Sequence, residues 1–213
     1  MSEEKTSRRI KLYTKTGDKM KTSLYDGSRV YKEDYIFDVL GTIDELNCHV
    51  GTLAYHAVEK HDLRVIQYRI TNIASIIATP KRNKRLPEIT EEDISALERL
   101  IDDCQQRSSP LDEFVLPGSC PVNCQAHICR VVARRVERMT SRLFHNGGQS
   151  FTSGNRTVLN KDLPKYKKRI LVWFNRLSDF FFAYARCFGN KEMTVSELER
   201  KLSGMTVSSS ESD

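Results

Sequence analysis

Two segments, ARRVER (Ala133 to Arg138) and FNRLSDFFFAYAR (Phe174 to Arg186), limit what this chain can fold into more than any other stretch. Each carries charge on one side and apolar groups on another, at helical spacing. At about 100° per residue, Arg130, Arg134, Glu137 and Ser141 fall within one narrow wedge, with Ile128, Val132, Val136, Met139 and Leu143 roughly opposite. In the second segment Asn175, Asp179, Phe182 and Arg186 share a face, while Ile170, Phe174, Leu177, Phe181, Tyr184 and Phe188 form a packing stripe. Two helices that both set a fixed polar face beside an apolar stripe point to a built polar site. Arginines gathered around one glutamate suit a polyanion, with or without a metal ion.

The remaining periodicity is also helical. A helix is expected from about Tyr35 to Val58, with Val39, Ile43, Leu46, Val50 and Leu53 inward. A second is expected from about Leu63 to Ala78, with Leu63, Ile66, Ile70, Ile73 and Ile77 inward, stopped by Pro80. Thr90 reads as the N-cap of a third, whose apolar face is Ile94, Leu97, Ile101 and Cys104. An extended piece, Phe114 to Gly118, leads into the arginine helix, which should end near Gly147-Gly148; the last helix should run from Lys165 to about Phe188. The expectation is an all-α five-helix bundle with no convincing strand. Residues 1–12 read as a polar arm, 13–190 as one helical domain with an ordered N-terminal loop, and 191–213 as a flexible, disordered C-terminal tail.

At 213 residues one well-buried domain is expected. The net charge of +6 favours an anionic ligand without arguing for nucleic acid. The basic runs PKRNKR and KYKKR adjoin prolines and read as solvated positions, and no aromatic residue interleaves the first. No apolar run approaches the length of a membrane span, so no membrane partner is expected. Six cysteines without a secretory signal read as reduced thiols, and the acids near the start make a poor mitochondrial presequence. The expected location is cytoplasmic, with the mitochondrial matrix left open. Cys120, Cys124 and His127 fall on one helical face, but without paired C-x-x-C spacing they read as packing residues rather than zinc ligands.

The loop YTKTGDKMKT (Tyr13 to Thr22) has hydroxyls, lysines and a glycine suited to phosphate, yet it is not a P-loop, and alone it reads first as a solvated loop. Taken with other segments it reads differently. T-K-T-G-D (Thr14 to Asp18), L-G-T-I-D-E-L-N (Leu40 to Asn47), F-V-L-P-G (Phe114 to Gly118), R-V-V-A-R-R-V-E-R (Arg130 to Arg138) and N-R-L-S-D (Asn175 to Asp179) occur in that order. In order and approximate spacing this set resembles the PduO-type ATP:cob(I)alamin adenosyltransferases, over about Tyr13 to Phe188.

The resemblance implies a five-helix bundle assembled as a homotrimer with active sites between subunits. It implies transfer of the 5′-deoxyadenosyl group of ATP to reduced cobalamin, release of triphosphate, and a need for magnesium. By motif, Thr14, Lys15, Thr16, Gly17, Asp18 and Thr22 would form the triphosphate loop, with Ser28 and Lys32 beside it. Arg134, Glu137 and Asn175 would complete the ATP site, with Glu137 toward the metal. Asp44 would pair across the subunit boundary with Arg130. Phe114 would lie beneath the corrin ring, and Arg176 with Asp179 would support the last-helix face. A reductase and an adenosylcobalamin-dependent client are the further partners implied.

Those residue types suit the chemistry. Cobalt(I) is itself a strong nucleophile, so the protein must align it with the 5′-carbon and stabilise the departing triphosphate. An aromatic on the lower face would exclude an axial ligand and water. The blander reading for the arginines is surface ion pairs with Glu137 and its neighbours; for Arg176 and Asp179 it is an i,i+3 pair, and for Phe114 ordinary core. The chain departs from the family pattern in several places. Met20 stands where the loop carries a second glycine, Leu40 where a tyrosine is usual, Val131 where a threonine is common, and Ser119 replaces a glycine. Around Arg69, apolar residues common in the second helix are replaced. A side chain at Met20 crowds phosphate or opposes a left-handed backbone. It keeps open an alternative function, an ATP- or cobalamin-binding carrier on the same fold with weak or no turnover.

Overall fold

In the computed structural model, described residues are 13, 15, 17–57, 60–79, 83, 85–110, 113–146, 163–188 and 192–208. A short antiparallel hairpin, β1 (Lys21–Ser23) and β2 (Arg29–Tyr31), precedes the helices α1 (Tyr35–His56), α2 (Lys60–Ile77), α3 (Glu91–Gln106), α4 (Pro121–Asn146), α5 (Lys165–Cys187) and α6 (Val195–Ser208). α4 packs on α1 and α5, α3 packs on α5, and α2 packs on α1. The first five helices are the bundle that the periodicity predicts, with ends within a few residues of those expected. Among the described residues no helix is long and apolar enough to cross a membrane.

The core is where the stripes meet. Val39, Ile43, Leu46, Val50 and Leu53 of α1 are buried, as are Leu63, Ile66, Ile70, Ile73 and Ile77 of α2. Along α5, Trp173, Phe174, Phe180, Phe181 and Tyr184 form an aromatic ladder between α3 and α4, with buried Leu177 among them. Each large apolar side chain so buried contributes about 1.5–3 kcal/mol. With α5 walled on two sides, its polar face has a fixed direction.

The sequence expectation for α4 needs one correction. Ile128 is exposed rather than inward, because the buried face centres on Ala126, Cys129, Ala133, Val136 and Thr140. The arginine wedge therefore flanks the core at an angle instead of lying opposite it. Small residues on that face let α4 approach α1 and α5 closely.

Two further differences concern the ends. Where a loop without strands was expected, residues 21–31 close into a hairpin with Lys21 opposite Tyr31, Thr22 opposite Val30 and Ser23 opposite Arg29. Its turn uses Gly27 at φ +82°, and the Asp26 carboxylate accepts from the Ser28 N–H. Buried Leu24, with the Tyr25 N–H donating to the Ala78 carbonyl at 3.0 Å, anchors the hairpin to the end of α2. Where a flexible tail was expected from 191, residues 192–208 contain α6. Thr194 and Glu197 cap its start, exchanging side-chain to backbone bonds of 3.1 and 3.2 Å. Residues 209–213, like the arm 1–12, lie outside the described residues.

Between α2 and α3, Arg69 reaches Asp93 at 2.7 Å, so the charge that replaces an apolar residue in α2 is matched rather than stranded. Asp93 also accepts from the Thr90 backbone while its own N–H donates to the Thr90 hydroxyl, a complete capping box. Thr90→Ala removes this cap and should cost about 1 kcal/mol. Thermal unfolding should show a fall in Tm of roughly 2–4 °C; an unchanged Tm would mean that Asp93 holds the helix start without Thr90.

Candidate functional site

α4 and α5 run antiparallel, and their polar faces meet along one side of the ladder. Glu137 on α4 accepts from Asn175 Nδ2 on α5 at 3.2 Å. Asn175 Oδ1 accepts from Arg176 Nη1 at 2.9 Å, and Arg176 Nε donates to Glu98 of α3 at 2.9 Å. Glu137, Asn175, Arg176 and Glu98 thus form a continuous chain across three helices. Two turns along α4 from Glu137, Arg130 donates from Nε to His127 Nδ1 at 3.3 Å and stands over the Phe182 ring at 5.9 Å. Burial, and then the neighbouring charge of Arg134, pulls the Arg130 pKa below the ordinary arginine range.

The arginines are not ordinary surface ion pairs. Arg135 does bond to a carboxylate, Glu45 of α1. Among the described residues, however, Arg130, Arg134 and Arg138 pair with no acidic side chain, and Arg138 instead donates to the Arg134 carbonyl at 3.3 Å. Positive charge is therefore concentrated on one wedge, with a single carboxylate that a neutral amide holds in place. Such a surface attracts a polyanion. Mg2+ is commonly held by one or two carboxylates together with a nucleotide's phosphates. Glu137, oriented by Asn175 and free of any arginine partner among the described residues, fits that demand.

Asp179, Arg176 and Phe182 line a cleft of about 730 Å³ between α3 and α5, closed opposite by Glu98, Asp102 and Gln105. A space of that size takes a large ligand. Phe114 is 86% exposed, so ordinary core is the wrong reading for it. Its backbone is nonetheless fixed, because the Phe114 carbonyl accepts from the Val195 N–H at 3.1 Å and Val115 bridges Thr194. A rigidly mounted aromatic facing outward needs a partner surface.

In the N-terminal segment, Thr14 and Thr16 lie outside the described residues. Gly17 faces Lys32, whose Nζ would lie 3.4 Å from an added Cβ. Lys15 and Asp18 close a turn through a 3.4 Å backbone bond, and Thr22 sits in β1 opposite Val30. The Ser28 hydroxyl is engaged by Asp26 at 2.6 Å. Met20 adopts φ +60°, the left-handed backbone that glycine takes without strain, at about 1–2 kcal/mol for a side chain. Its carbonyl accepts from the Lys32 N–H at 2.9 Å, which fixes that shape. Asp44 is exposed on α1. Among the described residues no hydrogen bond or ion pair joins residues 13–32 to Arg130, Arg134 or Glu137.

Three participants escaped the sequence reading. Phe182 was visible on the Asn175 face but had no assigned role; an aromatic on an otherwise polar face was the available signal. Asn123, fully buried, and Glu192 carried no local signal, because their contacts are long-range. The buried thiols are packing groups. Burial pushes Cys129 up to about 12, and a hydrogen bond with Cys187, followed by burial, raises Cys104 further.

The family profile described as cobalamin adenosyltransferase matches residues 12–188. The chain is 34% identical over 182 residues to the corrinoid adenosyltransferase of Citrobacter freundii, covering 83% of this chain and 93% of that protein. It is 31% identical over 207 residues to corrinoid adenosyltransferase MMAB of Bos taurus, covering 92% and 79%. A variant PduO-type ATP:corrinoid adenosyltransferase from Lactobacillus reuteri, solved with cobalamin and ATP, matches with a TM-score of 0.69 at 26% identity, over 90% of this chain and 96% of that one. With the profile spanning most of the chain and identity above 30% over more than three quarters of each of these relatives, this protein belongs to the cobalamin adenosyltransferase family.

Proposed function

We propose that the protein transfers the 5′-deoxyadenosyl group of ATP to the cobalt of reduced cobalamin, giving adenosylcobalamin and triphosphate. The observation that carries this reading is the α4–α5 constellation: arginines with no acidic partner among the described residues beside a carboxylate that Asn175 orients, next to a large cleft. In the reaction the cobalt(I) electron pair of the substrate forms a bond to C5′ while the C5′–O bond breaks, and triphosphate carries away the electrons. No protein nucleophile or base is required. Lys15, Gly17, Asp18, Thr22 and Lys32, with Thr14, Thr16 and Ser28, hold the polyphosphate; Arg134 stabilises charge as it leaves, and Arg130 extends the cationic lining. Glu137, held by Asn175, is the residue that would take Mg2+, which when bound neutralises phosphate charge. Phe114 lies under the corrin and keeps an axial ligand and water away from cobalt, and Arg176 and Asp179 shape the wall beside it.

The working form we propose is a homotrimer, with the N-terminal segment of one copy completing the arginine wedge of the next and Asp44 pairing with Arg130 across the boundary. Exposed Ile128 and Val131, on the same helix as that wedge, support a covered surface there. A reductase would supply cobalt(I) and a client would accept the product. Six free cysteines suit a reducing location such as the cytoplasm. The carrier reading retains one specific support, the strained Met20.

Visible spectroscopy with chemically reduced cobalamin, ATP and magnesium decides between the two. The enzyme forms a light-sensitive Co–C bond, and Arg134→Ala or Asn175→Ala should lower that rate by roughly 100-fold or more. Binding spectra without product would establish the carrier instead. Met20→Gly should relieve the left-handed strain and lower the KM for ATP roughly fivefold; an unchanged KM would show that the loop keeps this shape at no cost to nucleotide binding. Asp44→Asn should reduce both assembly and turnover, measured by light scattering beside the spectral assay; no change in either would refute the boundary pairing.

A further inference from the structure

The short strap that precedes α6 enters the protein through one buried carboxylate. Glu192, with a side chain only 7% exposed, accepts from Asn123 Nδ2 at 2.6 Å and meets His127 Nε2 at 3.0 Å through Oε1. Its Oε2 lies 3.6 Å from Arg186 Nε. Since His127 Nδ1 accepts from Arg130, the His127 Nε2 carries the proton donated to Glu192. Three side chains from α4 and α5, Asn123, His127 and Arg186, therefore converge on a residue from outside the bundle.

The next three residues run antiparallel to the segment that bears Phe114. Met193 accepts from the Leu116 N–H at 2.8 Å, Thr194 bridges Val115, and Val195 donates to the Phe114 carbonyl at 3.1 Å. Asn123 holds the other end, its side-chain oxygen accepting from Gly118 and Ser119 at 3.0 and 3.4 Å, and its amide also donates to the Ala185 carbonyl at 3.1 Å. The Phe114 backbone is thus clamped at both ends by groups that share Asn123 and Glu192, while its ring remains exposed. A ring that makes so little packing of its own takes its position from its backbone.

We propose that Glu192 is a positioning residue for Phe114: a buried latch that sets the strap, and through it the height and direction of the aromatic at the corrin face. The proposal rests on the adenosyltransferase reading for what Phe114 does, but not for the latch itself. A misplaced aromatic would admit an axial ligand to cobalt(II) and hinder its reduction, while prereduced cobalt(I), which binds axial ligands weakly, would react almost as before. Glu192 would then matter to one half of the chemistry more than to the other, which a residue of purely structural importance would not.

The test uses Glu192→Ala and the conservative Glu192→Gln, which keeps the shape and a carbonyl acceptor. Hydrogen exchange should be faster at the Leu116 and Val195 amides in Glu192→Ala, with Glu192→Gln between it and the native protein. Adenosylation from cobalt(II) with a chemical reductant should slow roughly tenfold, against little change from prereduced cobalt(I) and an unaltered KM for ATP. Adding Glu192→Ala to Phe114→Ala should cause no further loss. Unchanged exchange would overturn the latch, and equal losses in the two assays or additive loss with Phe114→Ala would overturn the positioning role. If the native protein gave no Co–C bond at all, the adenosyltransferase reading would fall, and the exchange result would still decide the latch.

Discussion

The aromatic ladder of α5, enclosed between α3 and α4, is the constraint on which the rest of the structure depends. Trp173, Phe174, Phe180 and Phe181 are almost wholly buried. Rotating α5 by one residue would drive Asn175 or Asp179 into that core, where polar groups without partners cost several kcal/mol. Packing therefore fixes the azimuth of the helix, and with it the direction of every polar side chain on the other face. The chain of bonds from Glu137 through Asn175 and Arg176 to Glu98 follows from that azimuth.

The same geometry accounts for the separate duties of residues that look alike. Arg135 is neutralised by Glu45 of α1, whereas Arg130 and Arg134 pair with no acid among the described residues. Burial and mutual repulsion both work against such an arginine wedge in the free protein, and both lower the Arg130 pKa. Its placement makes sense as preorganisation for an anion that arrives later. Phe114 is a comparable case in apolar terms, a side chain exposed at a cost in solvation but mounted on a tightly bonded backbone.

Much of this could be read from residues alone. The stripes of α1 and α2 and the Thr90 cap were legible because helical periodicity and capping are local properties. The wedge of Arg130, Arg134 and Glu137, and the face of Asn175 and Asp179, were legible for the same reason. Ile128 was misplaced because spacing defines a stripe's direction but not where its buried centre falls; the small residues Ala126, Cys129 and Ala133 set that centre. Met20 was recognised as a departure, but its left-handed backbone emerged only with the hairpin that holds it.

Sequence by itself determined the five bundle helices, most of their apolar faces and the family, since each depends on side chains a few positions apart or on motifs in linear order. Tertiary structure alone decided that Glu137 meets Asn175, that Arg135 is neutralised while Arg134 is not, and that residues 192–195 clamp the Phe114 backbone. Those outcomes join positions dozens of residues apart. Which partners meet depends on how the helices pack and rotate against one another, and no local pattern in the chain encodes that.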